Sequence, residues 1–270
     1  MTINRVRFLF NPIAITVTGA LVAGYSIAIA RPANAVTLVT ERSALNANDS
    51  FDFGSLGRIF DTFAPPTPDS FLPNSFSATS ANGLPLDFTI PPTDDPFISP
   101  PFIFQTGSDI PTNFADGDFL LFTGADFRAF PAPGNSAPVA IDFATPVVGA
   151  GTQIAVDDTF SFNANVSAFD SEGNLLDSFS IPATSSLALD NSAVFLGVVS
   201  EEANISRLVY SSSVDNRAIG LNAIDIDSNG DLAIPESTSI LGLLFAVTSG
   251  IFCFAKKQEK FSVQNSKFIK

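Results

Sequence analysis

The chain has 270 residues and carries 13 Lys+Arg against 27 Asp+Glu, with no His, no Trp, one Cys and a net charge of -14. It is long enough to bury a sizeable core. Those counts exclude an intramolecular disulfide, a His-based triad and the usual His/Cys zinc sites, and the acidic balance argues against a nucleic-acid partner.

The basic residues are concentrated at the two ends. Residues 1–35 hold Arg5, Arg7 and Arg31 with no acid, whereas 36–238 hold 5 Arg against 26 Asp+Glu and no Lys. The middle of the chain is therefore a strongly acidic body that repels anionic partners.

Residues 1–35 read as a secretory signal peptide. Arg5 and Arg7 form a positive start, 13–30 is free of charge, and Ala33-Asn34-Ala35 is a small-x-small cleavage site ahead of a strand-like 36–40. The alternative is an uncleaved membrane anchor, since the apolar stretch is slightly long. Both readings export the body, with signal peptidase and the export machinery as partners.

Residues 36–112 form an extended segment rich in proline and phenylalanine. Eleven of the 19 prolines fall in 64–112, interleaved with Phe71, Phe76, Phe88, Phe97, Phe102 and Phe104. Proline at this density excludes helix and central strands, and the aromatics argue against plain disorder. The expectation is an irregular segment that lies over a sheet or completes it, with 84–90 as a strand. An adhesive Phe-rich surface is the alternative.

Residues 113–228 are expected to be all-β, with strands at 118–123, 126–130, 139–143, 152–156, 160–169, 175–181, 194–200, 204–210 and 218–226. The alternation is cleanest where Phe160, Phe162, Ala164, Val166 and Ala168 face one side and Ser161, Asn163, Asn165 and Ser167 the other. A period of two marks a strand with one wet face. Asp170-Ser171-Glu172-Gly173-Asn174 then supplies hairpin chemistry. Short, evenly spaced strands predict an antiparallel β-sandwich.

Asp225-Ile226-Asp227-Ser228-Asn229-Gly230-Asp231 places oxygen ligands at alternate positions with glycine sixth, as in the first half of an EF-hand-type loop, and Glu236 falls twelfth. Asp225, Asp227, Asn229 and Asp231 are thus candidate calcium ligands. The competing reading is a solvated turn that links the sandwich to the Pro235-Glu236 segment. Asp94 with Asp95, Asp116 with Asp118 and Asp157 with Asp158 are further rim carboxylates. No enzyme is expected, because no His and no Lys before Lys256 is present to activate a serine.

Residues 229–238 read as a linker containing Pro235-Glu236, and 239–255 is free of charge ahead of a basic tail, 256–270, that opens with Lys256 and Lys257. Seventeen residues at ~1.5 Å rise span about 25 Å, enough for a thin bilayer, and the lysines would stay cytoplasmic. A buried C-terminal helix is the alternative, and Cys253 inside this stretch reads as a small apolar filler.

The order of signal peptide, exported body, Pro235-Glu236, span and Lys256-Lys257 resembles the PEP-CTERM sorting architecture of Gram-negative and cyanobacterial envelope proteins. The resemblance implies recognition of Pro235 and Glu236 by an exosortase-type membrane protease and association with extracellular polysaccharide. This chain differs in having Ser237 in place of the second proline, lysines in place of arginines, and a tail to Lys270. The pattern around Ile141-Asp142-Phe143, Asp170-x-x-Gly173-Asn174 and Phe195-Leu196-Gly197-Val198 is similar to a jelly-roll domain recurrent in that family, which implies likeness to carbohydrate-binding sandwiches. The sequence thus leads to an exported cell-surface or matrix protein with a structural role, or alternatively to a carbohydrate-binding module. The near absence of Trp and Tyr favours the former.

Overall fold

The computed structural model describes residues 36–61, 64, 66–128 and 131–228. The expected signal peptide, the Pro235-Glu236 motif, the 239–255 span, Cys253 and the basic tail lie outside the described residues. No helix among the described residues is long and apolar enough to cross a membrane.

Fourteen strands run through these residues. They are β1 (Val36–Val39), β2 (Asp49–Phe51), β3 (Ser75–Thr79), β4 (Pro85–Thr89), β5 (Phe102–Gln105), β6 (Phe119–Phe122) and β7 (Val139–Val147), then β8 (Gly149–Val156), β9 (Ser161–Phe169), β10 (Leu175–Thr184), β11 (Val194–Ser200), β12 (Ile205–Ser212), β13 (Ile219–Leu221) and β14 (Ile224–Asp227). An eight-stranded sheet has the order β1-β11-β8-β13-β6-β5, with β14 between β8 and β2; a six-stranded sheet has the order β10-β9-β12-β7-β4-β3. All pairings within both sheets are antiparallel. The protein is all-β, with two antiparallel sheets packed as a sandwich.

Period-two alternation sets which side chains meet between the sheets. Phe162, Ala164, Val166 and Ala168 of β9 are buried against Leu196 and Val198 of β11 and Ile154 of β8 in the main core. Tyr210 is fully buried and its hydroxyl donates to the Leu196 carbonyl across the sandwich at 3.1 Å. Burial drives the Tyr210 phenol far above its ordinary pKa. This tyrosine is a cross-sheet tie and offers no surface for stacking.

The proline-rich segment is part of both sheets, where the sequence predicts one strand between 64 and 112. β3 and β5 were hidden because each is four or five residues long, sits at a sheet margin and is flanked by prolines, positions where a missing N–H costs no ladder bond. The same segment also covers the outer face of the larger sheet. Phe60, Phe102, Phe104, Phe114, Leu120 and Phe122 form a second buried cluster there, each ring contributing roughly 1.5–3 kcal/mol on burial.

β8 is consequently buried along its whole length, and its residues are small where neighbours press closest. A Cβ on Gly151 would stand 2.6 Å from the Phe195 ring and 2.8 Å from Gly197 Cα, so the ring lies directly over glycine backbone.

Two further expectations are corrected. The strand expected at 126–130 is absent over its described part, because the Asp126 carboxylate folds the chain back by accepting from the Arg128 backbone N–H at 3.0 Å and from its guanidinium at 2.8 Å twice. That arrangement holds the Asp126 carboxyl down at about 2 through the side-chain bond first. The strand expected at 218–226 is interrupted at Asn222-Ala223, where the Asn222 side chain donates to Asp118 at 2.7 Å and to Gln153 at 3.0 Å.

Candidate functional site

The outer faces of the two sheets differ. Phenylalanine covers much of the larger sheet, whereas the outer face of the six-stranded sheet, rich in Ser, Thr, Asn and Asp, is not covered by other described residues. Strand register brings Ser77, Asp87, Asp142, Arg207, Phe169 and Leu175 into one row across all six strands. Ser77 donates to Asp87 at 2.5 Å. Arg207 donates to Asp142 through Nε at 2.5 Å and Nη2 at 2.9 Å. Two carboxylates facing each other across β4 and β7 would repel; Arg207 on the next strand compensates. Asp142, through these hydrogen bonds, raises the Arg207 guanidinium further above its ordinary pKa.

An open cleft of about 550 Å³ lies at one end of this row, between the β9–β10 hairpin and the end of β7. Its wall includes Phe169, Asp170, Glu172, Arg207, Asp142 and Pro146. The space exists because the pairing of β7 with β12 slips between Ile205 and Arg207, which leaves the strands spread around Ser206. The hairpin wall is fixed by Asp170, whose carboxylate accepts from Asn174 Nδ2, Asn174 N and Glu172 N at 2.9 Å each, while Gly173 takes φ 82°. These bonds, led by the Asn174 side chain, hold the Asp170 carboxyl below its usual range.

One buried polar atom lies in the cleft lining, at Ser206. Ser206 Oγ has no hydrogen-bond partner among the described residues, and neither has the Asn204 side chain, two residues earlier and outside the cleft lining. Unpaired buried polar groups are costly and mark places where a further partner would be accommodated.

The predicted calcium ligands are split. Asp225 and Asp227 do not open a loop; they belong to β14, paired with β8 and, at Asp225, with β2. Being two residues apart they lie on one side of the sheet, away from the core residues Ile224 and Ile226. Asp225 forms an ion pair with Arg42 Nη1 at 2.6 Å, and Asp227 accepts from Asn48 Nδ2 at 3.4 Å. Asn229 and Asp231, like Ala33, Ala35, Pro235 and Glu236, lie outside the described residues. No group of three His, Cys, Asp or Glu suited to a metal occurs among the described residues. The rim pairs serve locally: Asp118 accepts from Ala115 N and Asn222, and Asp95 from Phe97 N.

Burial raises the Asp225 pKa and Arg42 opposes the rise. The folded state thus keeps this proton to higher pH than the unfolded chain, and stability falls as pH rises through the Asp225 titration. Removing Arg42 takes away the opposing charge. We expect Arg42→Ala to cost roughly 1 kcal/mol at pH 7 after solvent screening, and much less in acid where Asp225 is protonated. Thermal melts at the two pH values check this; an equal loss at both would assign the effect to packing of Arg42 on Phe195, whose ring centroid is 5.5 Å from Cζ.

The Asp142–Arg207 pair escapes sequence reading because its members are 65 residues apart and meet only through register. The one signal available was charge at a wet strand position. No family model and no curated protein matches the chain. Among solved structures, the crystal structure of a DUF4465 family protein from Bacteroides caccae aligns with 71% of this chain and 99% of that one, at 10% identity and a TM-score of 0.33.

Proposed function

We propose that this protein is an exported component of the cell envelope or exopolysaccharide matrix, with a structural and non-catalytic role. In this reading signal peptidase cuts after Ala35, and the Pro235-Glu236 motif, the 239–255 span and Lys256-Lys257 direct sorting by an exosortase-type membrane protease. The sandwich is of the jelly-roll type. The observation that carries the proposal is the contrast between its faces among the described residues: one sheet sheathed in phenylalanine, the other polar and open across six strands. A wet, hydroxyl-rich sheet face on an acidic body suits contact with a hydrated matrix.

The test is intact mass and terminal peptide mapping of the protein from its native cells, with fractionation of matrix and membrane. Recovery from the matrix with a start at Val36 and an end near Pro235-Glu236 is expected. An unprocessed chain ending at Lys270 in the membrane fraction would overturn the sorting reading.

A second reading, a carbohydrate-binding module, is favoured by the cleft beside Arg207. It joins an aromatic wall to an acceptor and a donor fork, the combination that small-molecule sites use to fix orientation.

A further inference from the structure

We infer that the cleft between the β9–β10 hairpin and the end of β7 binds a neutral saccharide, with Arg207 and Asp142 as the polar grip and Phe169 as the apolar wall. The inference rests on the carbohydrate-binding reading and assigns it a place and a ligand class.

A saccharide ring presents hydroxyls that both donate and accept, together with an apolar face of C–H groups. The Asp142–Arg207 pair offers the complement of both functions. The guanidinium has five N–H donors and the carboxylate about four acceptor positions, so the two bonds between them leave capacity on each. The side chains of Arg207 and Asp142 are 49% and 32% exposed, so this capacity is open to a ligand. Phe169 is the register neighbour of Arg207 and lines the same cleft, which places a ring beside the fork. Ser206, whose Oγ has no hydrogen-bond partner among the described residues, lies in the same lining.

Other ligand classes fit less well. Asp142, Asp170 and Glu172 outnumber Arg207 around the cleft, and the body as a whole is acidic, so a polyanion would be repelled. A divalent cation needs carboxylates whose charge is not already offset, but the Arg207 guanidinium stands against Asp142 and would repel it, and Asp170 spends its oxygens on its own hairpin. The volume of about 550 Å³ falls in the range of ligand sites, and the open shape accepts a segment within a longer polymer.

The test is calorimetric titration of the full chain with two probes: neutral oligosaccharides, and uronate-bearing oligosaccharides, both size-fractionated from the exopolysaccharide of the cells that make this protein. Binding of the neutral fraction is expected, weakened about tenfold by Arg207→Gln and by Phe169→Ala and unchanged by Asp126→Asn at the opposite end of the sandwich. The charge swap Asp142→Arg with Arg207→Asp keeps an ion pair but exchanges donor and acceptor, so it is expected not to restore affinity. Restoration by the swap would make the pair structural only and overturn the inference. Wild-type binding that survives the cleft variants would also overturn it while leaving the carbohydrate-binding reading in place. Preference for the uronate fraction would reject the ligand class, and no binding of either fraction would reject both the site and that reading.

Discussion

Replacing Phe88 by alanine is expected to destabilise the protein by about 3–5 kcal/mol, the range for deleting a fully buried aromatic ring. Phe88 has no exposed surface. Its ring stacks on Phe76 at 4.8 Å with 7° between planes, and it meets Phe51 and Phe53 at 5.5 Å each. Phe76 and Phe88 come from the smaller sheet, while Phe51 and the adjoining Phe53 come from the edge of the larger one. One residue therefore joins three other rings and both layers. Urea melts would measure the loss; a value under about 1 kcal/mol would mean that the segment before residue 112 only drapes over a sandwich made without it.

Asp49→Ala is expected to cost about 2–4 kcal/mol, for a different physical reason. Asp49 is only 6% exposed. Its carboxylate accepts from Ser80 Oγ, from Asn82 N at 2.9 Å and from Ser50 N at 2.8 Å. Ser80 and Asn82 belong to the turn between β3 and β4, so a carboxylate on the larger sheet holds a hairpin of the smaller one. Asn82 Nδ2 donating to the Asn48 carbonyl at 2.8 Å and Ala81 N donating to the Ser50 carbonyl at 2.8 Å complete the clasp. Alanine would leave the buried Ser80 hydroxyl without its acceptor and free the Asn82 N–H to water. Asp49→Asn retains one oxygen acceptor and should recover part of the loss. Equal destabilisation by both variants would show that the charge, rather than the acceptor count, holds the corner.

These two residues also show what a sequence can disclose. β9 was legible because nine consecutive residues alternate with no exception, and the Asp170–Asn174 turn after it has chemistry specific to a hairpin. Phe88 was legible as a strand residue, but its partners were not, since Phe51 and Phe53 lie in segments of three or four residues where no period can be counted. The 126–130 expectation failed because Asp126 binds its own chain two residues on, and local side-chain bonds of that kind compete with strand formation. Asp225 and Asp227 fit a loop spacing, yet the same alternation is that of a strand with its carboxylates on one face. In the structure both residues lie in β14, paired with β8 and, at Asp225, with β2, while Asn229 and Asp231 lie outside the described residues. The Asp142–Arg207 pair behaves similarly: each residue occupies an ordinary outward strand position, and only the pairing of β7 with β12 brings them together.

The position of β14 has a mechanical consequence. It runs down to Asp227 in the same row as Gly149, Val199 and Thr37, so the chain enters at β1 and departs after β14 from one end of the sheet. β14 has three register pairs with β8 on one side and three with β2 on the other. Hydrogen bonds in antiparallel ladders lie across the strands. Tension drawn through the chain beyond residue 228, along the strand axis, would load the bonds on both flanks together in shear instead of peeling them apart one by one. Among the described residues β1 is paired with β11 alone, so the same pull at Val36 would meet a described ladder on one flank.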